Sequence, residues 1–435
     1  MSANELIALA LLFGSIIFFI IIRIPVAFAL GGASLITALY LDIPLYNLFS
    51  AAASGLNTFT FMAVPFFMIM GQIMSDGHIS TRLVQFSSLL VGRLRGGTAI
   101  VNVLVSMLFG GISGSSVADV SSIGAMIIPA MKKEGYDPEY SVAVTVTSSV
   151  QGVIIPPSQN MIFFVIYANA GLSITTMFLA GYLPGILLGV ALLIPTIWIA
   201  VKRKYPYSEK KSLKENLRIV KDALFGLFAM VIIIYSTTQG VASATEAAAI
   251  AAVYSLFVTV FIYKNMGLRQ FWRSMAQAVD NMTMIMLAIA TSFAFRYVLS
   301  FLKAPLKLTQ MLMAMTDNGT VLMTLIILAI VAMGLFIDMG LLLMMLTPVL
   351  VPMAMNLGYN PYHIGIVFIL AMAIGLVTPP VGNAIILGCN IAQVRAEKTI
   401  KDLMPFVLAM VACTIILLLF PEISLFIPRL VGAIS

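Results

Sequence analysis

Charge is what this chain has least of. Only 9% of its 435 residues are Asp, Glu, Lys or Arg, against about 25% in soluble domains. That shortage excludes an ordinary water-facing surface. The two cysteines, Cys389 and Cys413, lie in apolar runs and cannot build a disulfide framework. His78 and His363 stand alone, and no Cys/His cluster suggests zinc, copper, haem or iron–sulfur. No HExxH motif, Ser–His pair or paired aspartates with a plausible shared site is present, so the chain is not expected to be an enzyme. What is abundant is apolar sequence: 61% of residues, with a mean hydropathy of +1.07. This composition is that of an all-α polytopic membrane protein. The first apolar run, Leu6 to Ile22, lacks the basic start and small-residue cleavage site of a secretory signal and reads as a retained span. The net charge of +7 invites a nucleic-acid reading, but its cations sit between spans, which fits membrane topology better.

Two stretches 223 residues apart repeat each other without a slip in register. The first runs Pro129, Gly135-Tyr136-Asp137-Pro138, Gly152-Val153-Ile154-Ile155-Pro156-Pro157 and Asn160. The second runs Pro352, Gly358-Tyr359-Asn360-Pro361, Gly375-Leu376-Val377-Thr378-Pro379-Pro380 and Asn383. Gly-x-x-x-Pro-Pro inside a membrane helix frees backbone carbonyls that lipid cannot satisfy. Such a break survives only when buried in protein or lining a polar cavity. Two breaks at matching places point to a transporter's binding site.

Each break follows a pair of helices too short and polar at the turn to cross twice. In the first half, 97–112 and 116–131 meet at Ser113-Gly114-Ser115-Ser116, with Arg93, Arg95, Lys132 and Lys133 at the far ends. In the second, 319–335 and 340–356 meet around Gly334 to Gly340. Both read as re-entrant helical hairpins. With the N-terminus outside, 20 of the 24 basic residues then fall inside, the exceptions being Arg296, Lys303, Lys307 and Arg429. Treating either hairpin as a plain crossing spoils that count. The hairpin bases lie on opposite sides, so the repeats are inverted.

The first tip and break offer hydroxyls and free carbonyls with few carboxylates. Such hard oxygens in a dry site suit Na⁺ better than Ca²⁺. The second half presents Gly334, Phe336, Gly375, Thr378 and Pro380 at equivalent places, so two ion sites are expected. A single such break is as readily a kink or close-packing device; two in register beside polar tips argue for function. Asp119 and Asp338 follow the tips, where a carboxylate is either functional or a helix cap. Asn160 and Asn383 follow the breaks and can cap the half-helix or hold the tip. Ser115 and Ser116 complete the first tip. Arg296 is the candidate cation for an anionic substrate, with snorkelling to the outer interface the alternative. Glu246 reads as a first-turn acid, the 29 methionines as packing residues, and Arg269, Trp272 and Arg273 as an interfacial anchor.

The tip Gly110-Gly-Ile-Ser-Gly-Ser-Ser-Val-Ala-Asp119, the stretches Gly135-Tyr-Asp-Pro and Ile154-Ile-Pro-Pro-Ser158, Thr245-Glu-Ala-Ala-Ala249 and Val377-Thr-Pro-Pro-Val-Gly382 resemble the large membrane subunit of TRAP (tripartite ATP-independent periplasmic) transporters. The resemblance spans essentially the whole chain. It implies an elevator-type, Na⁺-coupled importer of organic acids such as C4-dicarboxylates or sialic acids in the bacterial inner membrane. It also implies two partners: a small four-helix membrane subunit and a periplasmic substrate-binding protein. Carried over position by position, the first Na⁺ site uses Ser113, Gly152, Ile155 and Pro157. The second uses Gly334, Gly375 and Thr378, with Phe336 or Pro380. The implied organisation is N-terminal scaffold helices 1–78, a first transport repeat 79–201, a cytoplasmic loop 202–221, further scaffold helices 222–301, a second transport repeat 302–402 and a C-terminal helix 403–435. The chain starts with its first span and ends near Ser435, so the small subunit is expected from another gene. A stand-alone Na⁺/dicarboxylate symporter of similar architecture, and less so an ion channel, are the competing readings.

Overall fold

A computed structural model describes residues 3–57, 59–207, 213–313, 318–379 and 382–434. Among these no strand forms; one isolated antiparallel bridge joins Arg95 and Tyr207. The first half contains α1 (Ala3–Ile21), α2 (Val26–Tyr40), α3 (Leu45–Leu56), α4 (Ala63–Asp76), α5 (Ile79–Val91), α6 (Gly97–Ser113), α7 (Ser116–Asp119), α8 (Ala125–Lys133), α9 (Pro138–Ser149), α10 (Gln151–Ile154), α11 (Gln159–Ala168) and α12 (Ile174–Lys202). The second half contains α13 (Leu213–Thr238), α14 (Ala244–Phe257), α15 (Leu268–Phe301), α16 (Ala304–Met313), α17 (Gly319–Gly334), α18 (Met339–Asn356), α19 (Pro361–Val377), α20 (Asn383–Ala392), α21 (Ala396–Leu419) and α22 (Glu422–Leu430). Six described helices are long and apolar enough to cross a membrane, and the bent pair Pro138–Ile154 and Gln159–Ala168 makes a seventh.

The helices sort into two neighbourhoods. Around α15 pack α2, α3 and α4, with α1 on α2, and α14 on both α4 and α13. The other contains the two repeats together with α12, α21 and α22. Segment 403–428, a single apolar run in the sequence, divides at Pro421 into α21 and α22. α21 packs on α9, α12 and α19 and so stands with the repeats. The short α3 was not legible in the sequence, because Asn47, Ser50 and Ser54 interrupt its apolar residues.

The Gly-Tyr-Asx-Pro landmark is a helix stop followed by a helix start. Gly135 and Gly358 take φ of 88° and 85°. There the Tyr136 N–H reaches back to Met131 O at 3.0 Å, and Tyr359 N–H to Ala354 O at 3.1 Å. A left-handed glycine ends α8 and α18 this way. Pro138 and Pro361 then open α9 and α19 at their first turn, where a missing N–H is harmless.

Thr98 at the start of α6 donates to Glu134 just past α8 at 2.6 Å. The two arms therefore run antiparallel with a common base. A polar ladder joins the α6 arm to α9: Asn102 to Thr145 at 2.6 Å and Ser106 to Ser148 at 3.2 Å. Ser116 on the return arm meets Ser149 at 2.5 Å. The repeats then cross, α9 against α20, α11 against α18 and α10 against α19. Lys132 Nζ donates to Ala392 O at 2.8 Å, closing the first hairpin's base on the second repeat.

Candidate functional site

At the first break α10 ends at Ile154 and Ile155 is extended (φ −75°, ψ 122°). Pro156 and Pro157, joined by a cis bond, have no N–H for the carbonyls of Gly152 and Val153 four residues back. Ser158 Oγ donates to Val153 O at 2.5 Å, so one of the two is compensated. The tip closes over this gap. Gly114 (φ 63°) turns the chain at the end of α6. A Cβ on it would lie 2.9 Å from Gln159 N and 3.0 Å from Pro157 O. A Cβ on Gly110 would sit 2.6 Å from Gly152 Cα. Only glycines let the two backbones approach this closely. Ser113, Gly152, Ile155 and Pro157 thus lie at one junction of tip and break.

The second junction is built alike. Gly334 at the end of α17 faces Gly375, whose Cα would be 3.3 Å from a Cβ on Gly334. Thr378 is extended (φ −106°, ψ 129°) and its hydroxyl donates to Ile374 O at 2.6 Å. Three carbonyls converge here. A Cβ on Gly382 would meet Leu376 O at 2.6 Å, Thr378 O at 2.8 Å and Gly375 O at 2.9 Å. A cavity of about 10 Å³ sits between tip and break, lined by Gly334, Ile337, Asp338, Gly375, Leu376 and Gly382 among others. That is space for one water-sized particle. The three atoms nearest that Gly382 Cβ position are all carbonyl oxygens, the kind of donor a hard cation takes. Pro380 lies outside the described residues. Phe336 is at the tip but 66% exposed and does not line the cavity; Ile337 does. Gly382 and Leu376 were missed in the sequence because a backbone carbonyl carries no residue signature.

Asp338 caps α18 through Gly340 N–H at 2.8 Å, and its other oxygen accepts from Asn383 Nδ2 at 2.6 Å. Asn383 therefore holds tip to break. Asn160 makes no comparable side-chain bond among the described residues; in the first repeat the link is Gln159 N–H to Gly114 O at 3.4 Å. Asp119 is buried, and neither carboxylate oxygen has a hydrogen-bond partner among the described residues.

Ser113 and Ser115 also face a larger cavity of about 470 Å³, opposite Gly71, Gln72 and Ser75 of α4 and Asn281 of α15. Ser121 and Gln159 complete its polar wall, and among the described residues no charged side chain lines it. Arg296 does not reach it. Its guanidinium donates to the Asn169 carboxamide oxygen just beyond α11 and lies 5.2 Å from the Phe293 ring. The expected role of Arg296 as the substrate's cation is thus not realised in this conformation. On α15 Arg296 lies about four turns beyond Asn281, the polar residue of that helix in the cavity wall. Glu246 proves to be half of a capping box with Ser243, in keeping with a first-turn acid.

Residues 13–423 match the family model "Tripartite ATP-independent periplasmic transporter, DctM component". The chain belongs to this family. Two curated relatives set the scale of similarity. The C4-dicarboxylate TRAP transporter large permease protein DctM of Pseudomonas aeruginosa is 34% identical, over 86% of this chain and 87% of its own. The sialic acid TRAP transporter large permease protein SiaM of Vibrio cholerae is 31% identical, over 86% and 88%. Among solved structures the YdaH transporter of Alcanivorax borkumensis, described as having an unusual topology, aligns with a TM-score of 0.65. It is 14% identical over 88% of this chain and 89% of its own, a likeness of fold. The DctM-family chain is thus a multi-pass transporter subunit, and its two broken helices are part of a transporter fold.

Proposed function

We propose that this chain is the large membrane subunit of a Na⁺-driven importer of carboxylated solutes in the bacterial inner membrane, with its N-terminus on the periplasmic side. The observation that carries this reading is the second junction of tip and break, where a one-particle cavity is lined by Gly334, Gly375, Leu376 and Gly382 and three backbone carbonyls converge on Gly382 beside it, mirrored by the Ser113–Gly152–Pro157 junction. Each would hold one Na⁺. The organic anion would occupy the roughly 470 Å³ cavity beside Ser113 and Ser115. Its size and hydroxyl and amide walls suit a small acid. The relatives' printed substrates, C4-dicarboxylates and sialic acid, are both such acids. With no cationic side chain in that wall among the described residues, the bound Na⁺ and the N-terminal end of α11, whose Gln159 lines the cavity, would supply the attraction for a carboxylate.

A sodium ion at each junction would draw tip and break together, so ion and substrate both favour the closed arrangement. Only that difference in affinity can shift the population of states. The repeats, with α12 and α21, would then slide against the α1–α4 and α13–α15 framework as an elevator. The membership in this family supports two partners, a small four-helix membrane subunit and a periplasmic binding protein that delivers the substrate. The test is reconstitution of the three components in liposomes. Uptake of the binding protein's ligand should require an inward Na⁺ gradient and all three proteins. Uptake that is indifferent to Na⁺ would refute the coupling. Uptake without the binding protein would favour a stand-alone symporter, and electrical conduction far above carrier rates would favour a channel.

A further inference from the structure

A second, larger cavity of about 910 Å³ lies one helical turn beyond the first, between the end of α4 and the start of α15. Its walls include Asp76, Arg269, Gln270, Arg273, Ser274 and Gln277. The sequence suggested an interfacial anchor here; Trp272 is 64% exposed, and Arg269 and Arg273 are exposed beside it while lining the cavity. Arg269 and Arg273 stand one turn apart on the cavity side, and neither forms an ion pair or side-chain hydrogen bond among the described residues. Between the two cavities runs a polar seam. Gln72, in the wall of the first cavity, donates to Gln277 Oε1 at 3.1 Å and to Asp76 Oδ2 at 2.9 Å. Ser274 donates to the same Asp76 oxygen at 2.5 Å, and Gln270 to Asp76 O at 3.2 Å. One oxygen of the Asp76 carboxylate thus accepts from two neutral donors, and among the described residues neither arginine is paired with it.

We infer that this cavity is a release-side binding site for an organic carboxylate, with Arg269 and Arg273 as its cationic wall and the Gln72–Gln277 contact as the partition the anion crosses. The chemistry is complementary. Among the described residues the inner cavity has no charged side chain in its wall, whereas the outer one sets two arginines against the single carboxylate of Asp76, a net positive wall that attracts anions. An anion freed as Na⁺ leaves would move down that potential towards the basic, cytoplasmic side. Guanidinium groups bind carboxylates in a two-pronged geometry. The direction of travel rests on the transport reading proposed above; the existence of an anion site in this cavity does not.

The test uses Gly267→Cys in the full chain with its small subunit, in phosphatidylcholine nanodiscs. Gly267 lines the cavity and a Cβ there meets open space, while the two native thiols are buried. An anionic sulfonatoethyl methanethiosulfonate should label the introduced thiol on the order of tenfold faster than the cationic trimethylammonioethyl reagent. Millimolar succinate should slow the anionic reagent more than sodium chloride at equal ionic strength. Arg269→Gln with Arg273→Gln should abolish both effects, and Arg269→Lys with Arg273→Lys, which keeps the charge, should retain the rate ratio. A ratio or protection unchanged by the glutamine pair would overturn the site. So would loss of succinate protection on adding phosphatidylglycerol, which would assign the arginines to lipid headgroups. Normal reagent selectivity with Na⁺-independent uptake would leave this site standing and sink the transport reading instead.

Discussion

Asn383 Nδ2 lies 2.6 Å from Asp338 Oδ2, so a residue just past the second break grips the hairpin tip facing it. Replacing Asn383 with Ala leaves the carboxylate without its donor. A hydrogen bond to a charged group contributes about 1.5–3 kcal/mol, and the partial exposure here puts the loss near the low end. The complex is expected to stay folded with a slightly lower melting temperature while its apparent Na⁺ affinity falls. Na⁺-titrated thermal unfolding of Asn383→Ala against wild type checks this; unchanged Na⁺ dependence would mean the contact is only a cap.

The glycine pairs should tolerate no side chain. A Cβ on Gly110 would come within 2.6 Å of the Gly152 backbone, and backbone cannot rotate away as a side chain can. Gly110→Ala is expected to cost about 1–3 kcal/mol through overpacking and to abolish uptake. Gly135→Ala is the matched control. Open space surrounds it, but its φ of 88° strains any side chain, so it should lose stability by about 1 kcal/mol and keep Na⁺ coupling.

At the end of α12, Arg203 bonds Asp402 through both terminal nitrogens and Asp137 at 2.7 Å, and Tyr205 donates to Asp137 at 2.7 Å. Asp402, only 11% exposed, is the better shielded partner. Asp402→Ala removes it and leaves a half-buried guanidinium with the exposed Asp137 alone. Thermal unfolding should show a loss of about 2–3 kcal/mol, and Asp137→Ala a smaller one.

The same cluster sets an alkaline limit. Burial first, then the Asp137 bond, push the Tyr205 phenol up from 10.0 to about 12. A raised pKa favours the protonated form in the folded state, so its contribution is whole below the unfolded value of about 10. It is lost as pH rises from there to about 12. Wild type should therefore lose stability over that window faster than Tyr205→Phe, and the two should run parallel between about pH 6 and about pH 9. Parallel curves above about pH 10 would exclude this contribution.

How much of this was readable from the chain differs between the repeats and their surroundings. Gly135-Tyr-Asp-Pro and Gly358-Tyr-Asn-Pro announced a helix stop and start because a left-handed glycine and a first-turn proline are local devices. The Pro-Pro pairs announced the breaks because a missing N–H is also local. The polar ladder from Asn102 to Ser149 was not legible, since nothing in the spacing says which hydroxyl meets which across two helices. Gln72, Ser75 and Asn281 went unnoticed as cavity residues for the same reason, being isolated polar positions on apolar helices. Arg296 was singled out as the candidate cation for an anionic substrate, yet tertiary packing turns it to Asn169. The carbonyl cradle around Gly382 depends wholly on backbone path, which side-chain identity does not encode.

The most direct measurement of the central claim is equilibrium Na⁺ binding to the purified membrane complex, read as the rise in unfolding temperature with NaCl against KCl and choline chloride. A ligand that binds only the folded state stabilises it in proportion to the logarithm of its concentration. The account predicts a shift specific to Na⁺, reduced by Ser113→Ala or Thr378→Val singly and absent when both are combined. Equal shifts with potassium or choline, or a full Na⁺ shift in the double variant, would contradict it.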